Sequence, residues 1–237
     1  MTPQGEGYIK FEMEHRDCEL PPRRFGELAG RLIAWREIMA LTGLIGQEPS
    51  RYEGAGYGNL SARVGPPSAA LGRRSFLITG TQTSGEPAID LNDFAVVESY
   101  DYRNNRVESY GPTNPSSEAM THGAAYDLGP HIRAVFHAHS PVLWKCARKL
   151  KIPISDASAP YGTPMMAEEV RRLYRSSVLP ERQILAMGGH EDGIIAFGRS
   201  PEEAGQTLLT WLARAYELES EAAGALLCRN GLNLIER

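Results

Sequence analysis

Apolar residues recur every three or four positions early in the chain, at Phe25, Leu28, Leu32, Trp35 and Met39. This spacing places their side chains on one face of a helix, which we expect to run from about Arg23 to Thr42 and to stop near Gly43. Residues 1–22 show no comparable pattern. We therefore predict an irregular N-terminal extension over 1–22 and one folded domain over 23–237.

Short apolar runs separated by turn residues predict strands further along. They lie at residues 57–64, 76–79, 94–102, 106–110, 132–139, 184–187 and 193–197. Asn104 and Asn105 tolerate left-handed backbone, so they predict a hairpin between the third and fourth of these runs. Helices are predicted over 119–126, 141–150, 163–175 and from Ser200 to about Cys228. The interleaved order indicates a single α/β or α+β domain whose sheet is mixed or antiparallel, because hairpins leave no room for crossover helices throughout.

Composition narrows the class of protein. A chain of 237 residues buries a sizeable core without disulfides, and its three cysteines form no paired motif, which favours a reducing compartment. The first residues contain no continuous apolar run, so we expect neither a secretory signal nor a membrane anchor, and we predict a cytoplasmic protein. The net charge of −4 and the dispersed basic residues argue against nucleic acid. A small-molecule partner is the expectation that remains.

Two histidines alternate in the predicted strand that ends at residue 139. Because side chains of a strand alternate between faces, His137 and His139 lie on one face, roughly 6.6 Å apart at ~3.3 Å per residue. Two such imidazoles can converge on one ion, and a catalytic zinc site uses about three protein ligands. His190, in a glycine-rich turn after the apolar run 184–187, is the third candidate. The alternative is that all three are ordinary core, surface or turn residues.

Glu118 stands at the start of a predicted helix and is a candidate acid/base beside the ion. Its alternative explanation is the helix dipole, which favours a carboxylate at this position. The segments 58–61 and 79–85 carry exposed amides and hydroxyls that would suit an anion, although most such segments are only turns. Neither matches a Walker loop or a dinucleotide fingerprint.

Several segments together resemble the class II aldolase and adducin family, in its L-fuculose-phosphate aldolase-like branch. They are Gly58-Asn-Leu-Ser61, Phe76-Leu-Ile-Thr-Gly80, Pro115-Ser-Ser-Glu118 with His122, Ala134-Val-Phe-His-Ala-His-Ser140, Gly162-Thr163 and Gly189-His190. The resemblance implies a three-layer α/β/α domain with a mostly antiparallel sheet, assembled as a homotetramer with active sites at subunit interfaces.

The resemblance also implies roles for particular residues. The three histidines would bind Zn²⁺ or another divalent cation such as Mn²⁺, Co²⁺ or Fe²⁺, and Glu118 would move a proton. An anionic group of the substrate would be held by Gly58, Asn59, Thr79, Gly80, Ser116 and Ser117. The implied activity is that of a lyase that makes or cleaves a C–C bond, or abstracts a proton, in a sugar-like or hydroxy-acid substrate through a metal-stabilised enediolate.

This sequence departs from the family pattern in three places. The interval between His139 and Gly162 is short, so Tyr161 is the candidate to replace an interfacial catalytic tyrosine. The loop 79–85 lacks a lysine, which makes a carboxylate as suitable as a phosphate. Glu191 and Asp192 follow His190, where acids can orient the histidine by hydrogen bonding, bind a cation of the substrate or face solvent, and the last is our expectation for both. An epimerase, a dehydratase, a decarboxylase and a non-catalytic adducin-like interaction module are the alternatives, and the intact histidine set opposes the last of these.

Overall fold

The computed structural model describes residues 8–232 and is built on one large sheet. Its eight strands are β1 (Glu12–Asp17), β4 (Asn59–Arg63), β5 (Phe76–Thr79), β6 (Phe94–Asp101), β7 (Arg106–Gly111), β8 (Ala134–His139), β9 (Ile184–Ala186) and β10 (Gly193–Gly198), and β2 (Gly46–Gln47) pairs separately with β3 (Gly56–Tyr57). The strand order is β1-β7-β6-β5-β4-β8-β10-β9. Every neighbouring pair is antiparallel except β1 with β7, which confirms the mostly antiparallel sheet.

Helices cover both faces of this sheet. They are α1 (Pro22–Leu41), α2 (Ala119–Tyr126), α3 (Pro141–Cys146), α4 (Pro164–Ser176), α5 (Leu179–Arg182) and α6 (Pro201–Leu232). One buried apolar cluster joins α1, α3 and α6 to one face of the sheet, and a second joins α2, α4 and α5 to the other. The predicted three-layer α/β/α architecture is confirmed.

Strand β8 lies inside the sheet, between β4 and β10, and its alternation decides which face carries the histidines. Phe136 packs with the α1/α3/α6 cluster, whereas Val135 packs with the α2/α4/α5 cluster. His137 and His139 share the face of Val135 because side chains alternate along a strand. Both imidazoles therefore lie on the side of the sheet where α2 brings Glu118.

The expectation of an irregular N-terminal extension is wrong for residues 12–17. These residues form β1, which pairs in parallel with β7, and His15 bonds the Ser109 hydroxyl and the Gly111 carbonyl oxygen at 2.9 and 3.0 Å. The strand has only one apolar residue, Met13. As an edge strand it is held by backbone pairing, so its side chains need no apolar alternation that sequence could reveal. The domain boundary at residue 23 stays a prediction.

Smaller differences have local causes. The predicted strand over 57–64 is interrupted at Gly58, whose φ of +81° breaks the ladder between β3 and β4. The helix predicted over 141–150 ends at Cys146 and continues as turns to Lys151, where φ is +56°. The predicted Asn104-Asn105 hairpin is confirmed, with φ of +53° at Asn105. Among residues 8–232, no helix is long and apolar enough to cross a membrane.

Candidate metal centre and substrate cleft

Three buried imidazoles meet at one end of the sheet. His137 and His139 come from the end of β8, and His190 comes from the turn between β9 and β10. The His139 Nε2 atom lies 3.1 Å from Nε2 of both His137 and His190, and the His137 and His190 Nε2 atoms are 3.3 Å apart. The structure thus brings together the three residues that the sequence singled out, and this set of ligand atoms could hold a metal ion.

The hydrogen bonding of His137 leaves its Nε2 free to act as a ligand. The His137 Nδ1 lies 3.2 Å from the carbonyl oxygen of Ile194, which can only accept, so Nδ1 carries the hydrogen and Nε2 presents a lone pair. Burial lowers the pKa of His137 to about 4 and holds the pKa values of His139 and His190 well below their usual range. All three rings are therefore neutral at pH 7, as metal ligation requires.

The spacing of the three nitrogens fits a tetrahedral ion. Bonds of about 2.0–2.1 Å from zinc to histidine place two ligand nitrogens about 3.3–3.4 Å apart in tetrahedral geometry. The Nε2 separations of 3.1–3.3 Å are close to this value. Three neutral nitrogen donors leave further positions for substrate, which is the donor set of catalytic rather than closed structural zinc sites.

Glu118 lies beside this centre. It immediately precedes α2, and its Oε1 atom is 3.8 Å from Nε2 of His190. Neither of its carboxylate oxygens has a hydrogen-bond partner among the described residues. Burial raises the pKa of Glu118 to about 7, although the nearby Thr121 hydroxyl and, to a smaller extent, the positive charge of Lys10 oppose this shift. A carboxyl with such a pKa can both give and take a proton at neutral pH.

A narrow cleft opens next to His137 and Glu118. Five of the six predicted anion-binding residues line it: Gly58, Asn59, Gly80, Ser116 and Ser117. Thr79 does not line the cleft. Its hydroxyl accepts a hydrogen bond from the Leu60 amide at 3.2 Å, and its carbonyl oxygen accepts one from Ser116, so it supports the cleft walls from behind. Whether these residues bind an anion stays a prediction.

Tyr161 lies at the metal centre, on the side of His190. The ring centroids of Tyr161 and His190 are 4.5 Å apart, and the Lys10 Nζ lies 3.3 Å from the Tyr161 ring centroid. Lys10 belongs to the segment before β1 that sequence reasoning assigned to the extension. Two contacts fix the backbone of Lys10 near the site. The strand β1 that follows it pairs with β7, and the Asn105 side-chain amide donates a hydrogen bond of 2.8 Å to the Lys10 carbonyl oxygen.

Several residues around His139 were missed by sequence reasoning. The Tyr52 and Tyr57 rings lie 4.6 and 5.5 Å from the His139 ring, and the Tyr52 hydroxyl donates to Asp192 Oδ2 at 2.8 Å. The expectation that Asp192 faces solvent is wrong, because its side chain is buried against Tyr52, whereas Glu191 is exposed as expected. Residues 48–57 show no apolar periodicity, so the presence of two tyrosines was the only feature of this segment that could have indicated a role at the site.

Among residues 8–232, some of the buried polar atoms without a hydrogen-bond partner lie in or next to the cleft. Besides the Glu118 oxygens they include Oδ1 of Asn59 and Nε2 of His122. Unpaired buried polar atoms are costly and uncommon in folded proteins. Asn59 and Glu118 both line the cleft, so their unpaired oxygens are available to a polar ligand there.

Gly58 is needed for its backbone rather than for a side chain. A Cβ atom at this position would lie 2.6 Å from Ile45 Cγ1, and φ is +81°. We expect Gly58→Ala to lower the free energy of unfolding by about 1–3 kcal/mol, because alanine is strained in this conformation. Urea denaturation measures the change. Gly30→Ala is the control: Gly30 lies in α1 with no atom near its missing Cβ, and alanine there is expected to stabilise by about 0.5–1 kcal/mol. Equal stability of the two variants would contradict the expectation.

Stability of the metal-free protein should depend on pH through buried histidines. Burial holds the pKa values of His122, His137, His139 and His190 below 6.5, so these rings take up protons in the unfolded state before they do so in the folded state. As pH falls from about 6.5 to 5, the unfolded state therefore gains protons and stability is lost. Glu118 acts in the opposite sense, because its folded pKa of about 7 lies above its usual 4.5.

The four histidines together change the stability more than the single carboxyl of Glu118 does, so we expect the free energy of unfolding to fall as the pH is lowered from 6.5 to 5. Urea unfolding in the presence of a chelator, at several pH values, measures it. Glu118→Gln removes the opposing contribution and should make the loss steeper. Equal or greater stability at pH 5 would contradict this account.

Fold and site together define an α/β/α protein with a three-histidine centre. The family model of the Class II Aldolase and Adducin N-terminal domain matches residues 48–219, and the chain belongs to this family. No curated protein matches the chain at a significant level.

Solved structures of the same fold agree with this assignment. The L-fuculose-1-phosphate aldolase of Thermus thermophilus has a TM-score of 0.61 and 19% identity, over 84% of this chain and 96% of its own. A sugar-phosphate aldolase of Thermotoga maritima has a TM-score of 0.60 and 16% identity, over 84% and 97%. An aldolase II superfamily protein of Pseudomonas syringae has a TM-score of 0.58 and 21% identity, over 87% and 79%. At these identities the likeness establishes the fold.

Proposed function

We propose that this protein is a metal-dependent lyase of the class II aldolase type, acting on a small hydroxy-carbonyl compound. The observation that carries the proposal is the meeting of three Nε2 atoms within 3.3 Å of one another beside the buried carboxyl of Glu118. A divalent cation held by His137, His139 and His190, with zinc the best fit, would polarise the oxygens of a bound substrate and stabilise negative charge on them.

Glu118 carries the proton in this proposal. Its carboxyl faces the centre at 3.8 Å from His190 and has a pKa near neutrality because it is buried. It takes a proton from, or returns one to, the substrate carbon next to the carbonyl group, and C–C cleavage and its reverse both need such a step. Tyr161, close to His190, is the candidate for the second proton-transfer group.

The cleft beside His137 holds the part of the substrate farthest from the reacting carbon. Its walls offer amides and hydroxyls at Gly58, Asn59, Gly80, Ser116 and Ser117, and Gln82 and Ser84 add two further polar side chains. Within the described part of the chain, no lysine or arginine lines this cleft. Such a set of neutral donors suits a carboxylate or a phosphate, and also a hydroxylated sugar chain.

Epimerisation, dehydration and decarboxylation could use the same centre and remain the alternative enzymatic functions. A non-catalytic interaction module is less consistent with a complete, buried histidine set next to the buried carboxyl of Glu118. A cytoplasmic homotetramer with active sites at its subunit interfaces is part of the proposal.

The deciding experiment separates the metal from the chemistry. Purified protein never exposed to chelator is analysed for metal content, where we expect about one divalent ion per chain. The same protein is then incubated in D₂O with dihydroxyacetone, dihydroxyacetone phosphate and L-fuculose 1-phosphate, and C–H exchange and product formation are followed by NMR. Bound metal together with exchange or cleavage supports the lyase. Protein that carries no metal and gains no activity when divalent ions are added would overturn it.

A further inference from the structure

Residues 48–57, which we call the strap, follow β2 and include β3, and they place the rings of Tyr52 and Tyr57 against the ring of His139. Two consecutive residues of the strap, Tyr52 and Glu53, have φ values of +50° and +57°. Non-glycine residues adopt this backbone conformation only where the surrounding structure holds them there. The contacts of Tyr52 show what holds it.

Arg51 organises the aromatic residues of the strap. Its guanidinium donates to the hydroxyl oxygens of Tyr52 and Tyr57 at 2.8 and 3.0 Å and to Glu48 Oε1 at 3.2 Å. Tyr57 in turn donates to Glu48 at 2.9 Å. The two tyrosine rings are thereby fixed against the ring of His139, and that of Tyr52 stands at 73° to it with a centroid distance of 4.6 Å.

Asp192 connects the strap to both chain segments that carry the histidines. Its Oδ2 accepts from the Tyr52 hydroxyl at 2.8 Å, and its carbonyl oxygen accepts from the amide of Ser140, directly after His139, at 2.9 Å. Asp192 itself lies two residues after His190, with φ of +60°. Burial raises the pKa of Tyr52, so its hydroxyl remains a hydrogen-bond donor at neutral pH.

We propose that Tyr52 and Asp192 are positioning residues of the metal centre: the Tyr52 ring sets the orientation of His139, and the Tyr52–Asp192 hydrogen bond fixes the turn that presents His190. This inference rests on the proposed function. Groups that orient metal ligands from behind typically change metal affinity by about 10- to 100-fold when removed.

The test measures Co²⁺ and Zn²⁺ affinity and the visible absorption spectrum of bound Co²⁺. We expect Tyr52→Phe, which keeps the ring and removes the hydroxyl, to raise the Kd for Co²⁺ by about 10-fold or more and to alter the spectrum. Tyr102→Phe is the matched control. Tyr102 also accepts from an arginine, Arg171, whose guanidinium lies 5.0 Å from the Tyr102 ring, but it follows β6 at the opposite end of the sheet from the histidines. The Tyr102→Phe protein should therefore have the wild-type Kd for Co²⁺ and the wild-type absorption spectrum.

Two substitutions at Asp192 separate the hydrogen bond from the charge. Asp192→Asn keeps an acceptor oxygen and tolerates a positive φ, so it should retain the wild-type affinity, whereas Asp192→Gly tolerates the backbone but removes the acceptor and should match Tyr52→Phe. The double variant Tyr52→Phe/Asp192→Gly should have a Kd for Co²⁺ no higher than that of the single variant with the lower affinity, because both substitutions remove the same hydrogen bond.

The outcomes distinguish the two proposals. Wild-type protein that fails to bind Co²⁺ and Zn²⁺ overturns the metal site, and the positioning role with it. Wild-type protein that binds, alongside Tyr52→Phe and Asp192→Gly proteins that bind equally well with the same spectrum, overturns only the positioning role. Circular dichroism checks that each variant is folded, and Asp192→Gly decides the question if Tyr52→Phe is not.

Discussion

Glu118→Gln protein should retain its metal and lose about 10²- to 10⁴-fold in kcat. Glutamine has nearly the same shape as glutamate but cannot exchange a proton, so the substitution removes the proton carrier and leaves the three imidazoles in place. The carboxyl is buried, without a hydrogen-bond partner among the described residues, and 3.8 Å from His190 Nε2. A neutral amide therefore replaces a costly buried acid, and folding should not suffer.

The control for this variant is Glu191→Gln, an exposed glutamate one residue from His190. It should keep the wild-type kcat because it changes a charge near the centre without touching the proton path. Metal analysis and steady-state kinetics on the active substrate measure both variants. Unchanged kcat in Glu118→Gln protein, at full metal content, would assign the proton transfer to another group.

His139→Ala should abolish stoichiometric metal binding and turnover together. His139 Nε2 is the atom nearest to both other ligand atoms, at 3.1 Å from each, so its removal leaves two imidazoles 3.3 Å apart and, among the described residues, no third imidazole to complete the set. A ligand that binds only the folded state at 100 times its Kd stabilises that state by about 2.7 kcal/mol. The wild-type protein should show this stabilisation on addition of Zn²⁺, and the variant should not.

His131→Ala is the control, since His131 is exposed and lies outside the centre. It should keep both the metal and its stabilising effect. Metal content after dialysis and thermal unfolding with and without Zn²⁺ are the measurements. A His139→Ala protein that retains one ion per chain would show that the ion is held elsewhere.

The part of the site that sequence predicts is the part set by local periodicity. Strand alternation alone places His137 and His139 on one face, and the structure confirms it. His190 could be singled out because it follows a short apolar run in a glycine-rich turn, but the antiparallel pairing of β10 with β8, which brings it to the other two, is a long-range fact. The resemblance to the class II aldolase family, rather than the spacing of the histidines, is what groups His190 with His137 and His139 in the sequence.

What sequence could not predict depends on contacts between distant segments. The Tyr52 hydroxyl donates a hydrogen bond to Asp192, which lies 140 positions further along the sequence, and Lys10, near the N-terminus, contacts the ring of Tyr161. Neither contact follows from a period of two or of 3.6 residues. The edge strand β1 was missed for a related reason, because backbone pairing with β7 places no demand on its side chains.

Lys10 has a practical consequence for anyone preparing this protein. The positive charge of Lys10 lowers the pKa of Glu118, and Lys10 lies only two residues before β1. An expression tag fused close to the first strand, or a deletion that trims the chain to residue 12, would alter the electrostatics of the centre from a position that looks remote in the sequence. Kinetic constants should therefore be compared only between proteins with the same N-terminus, and a tag is best placed at the other end.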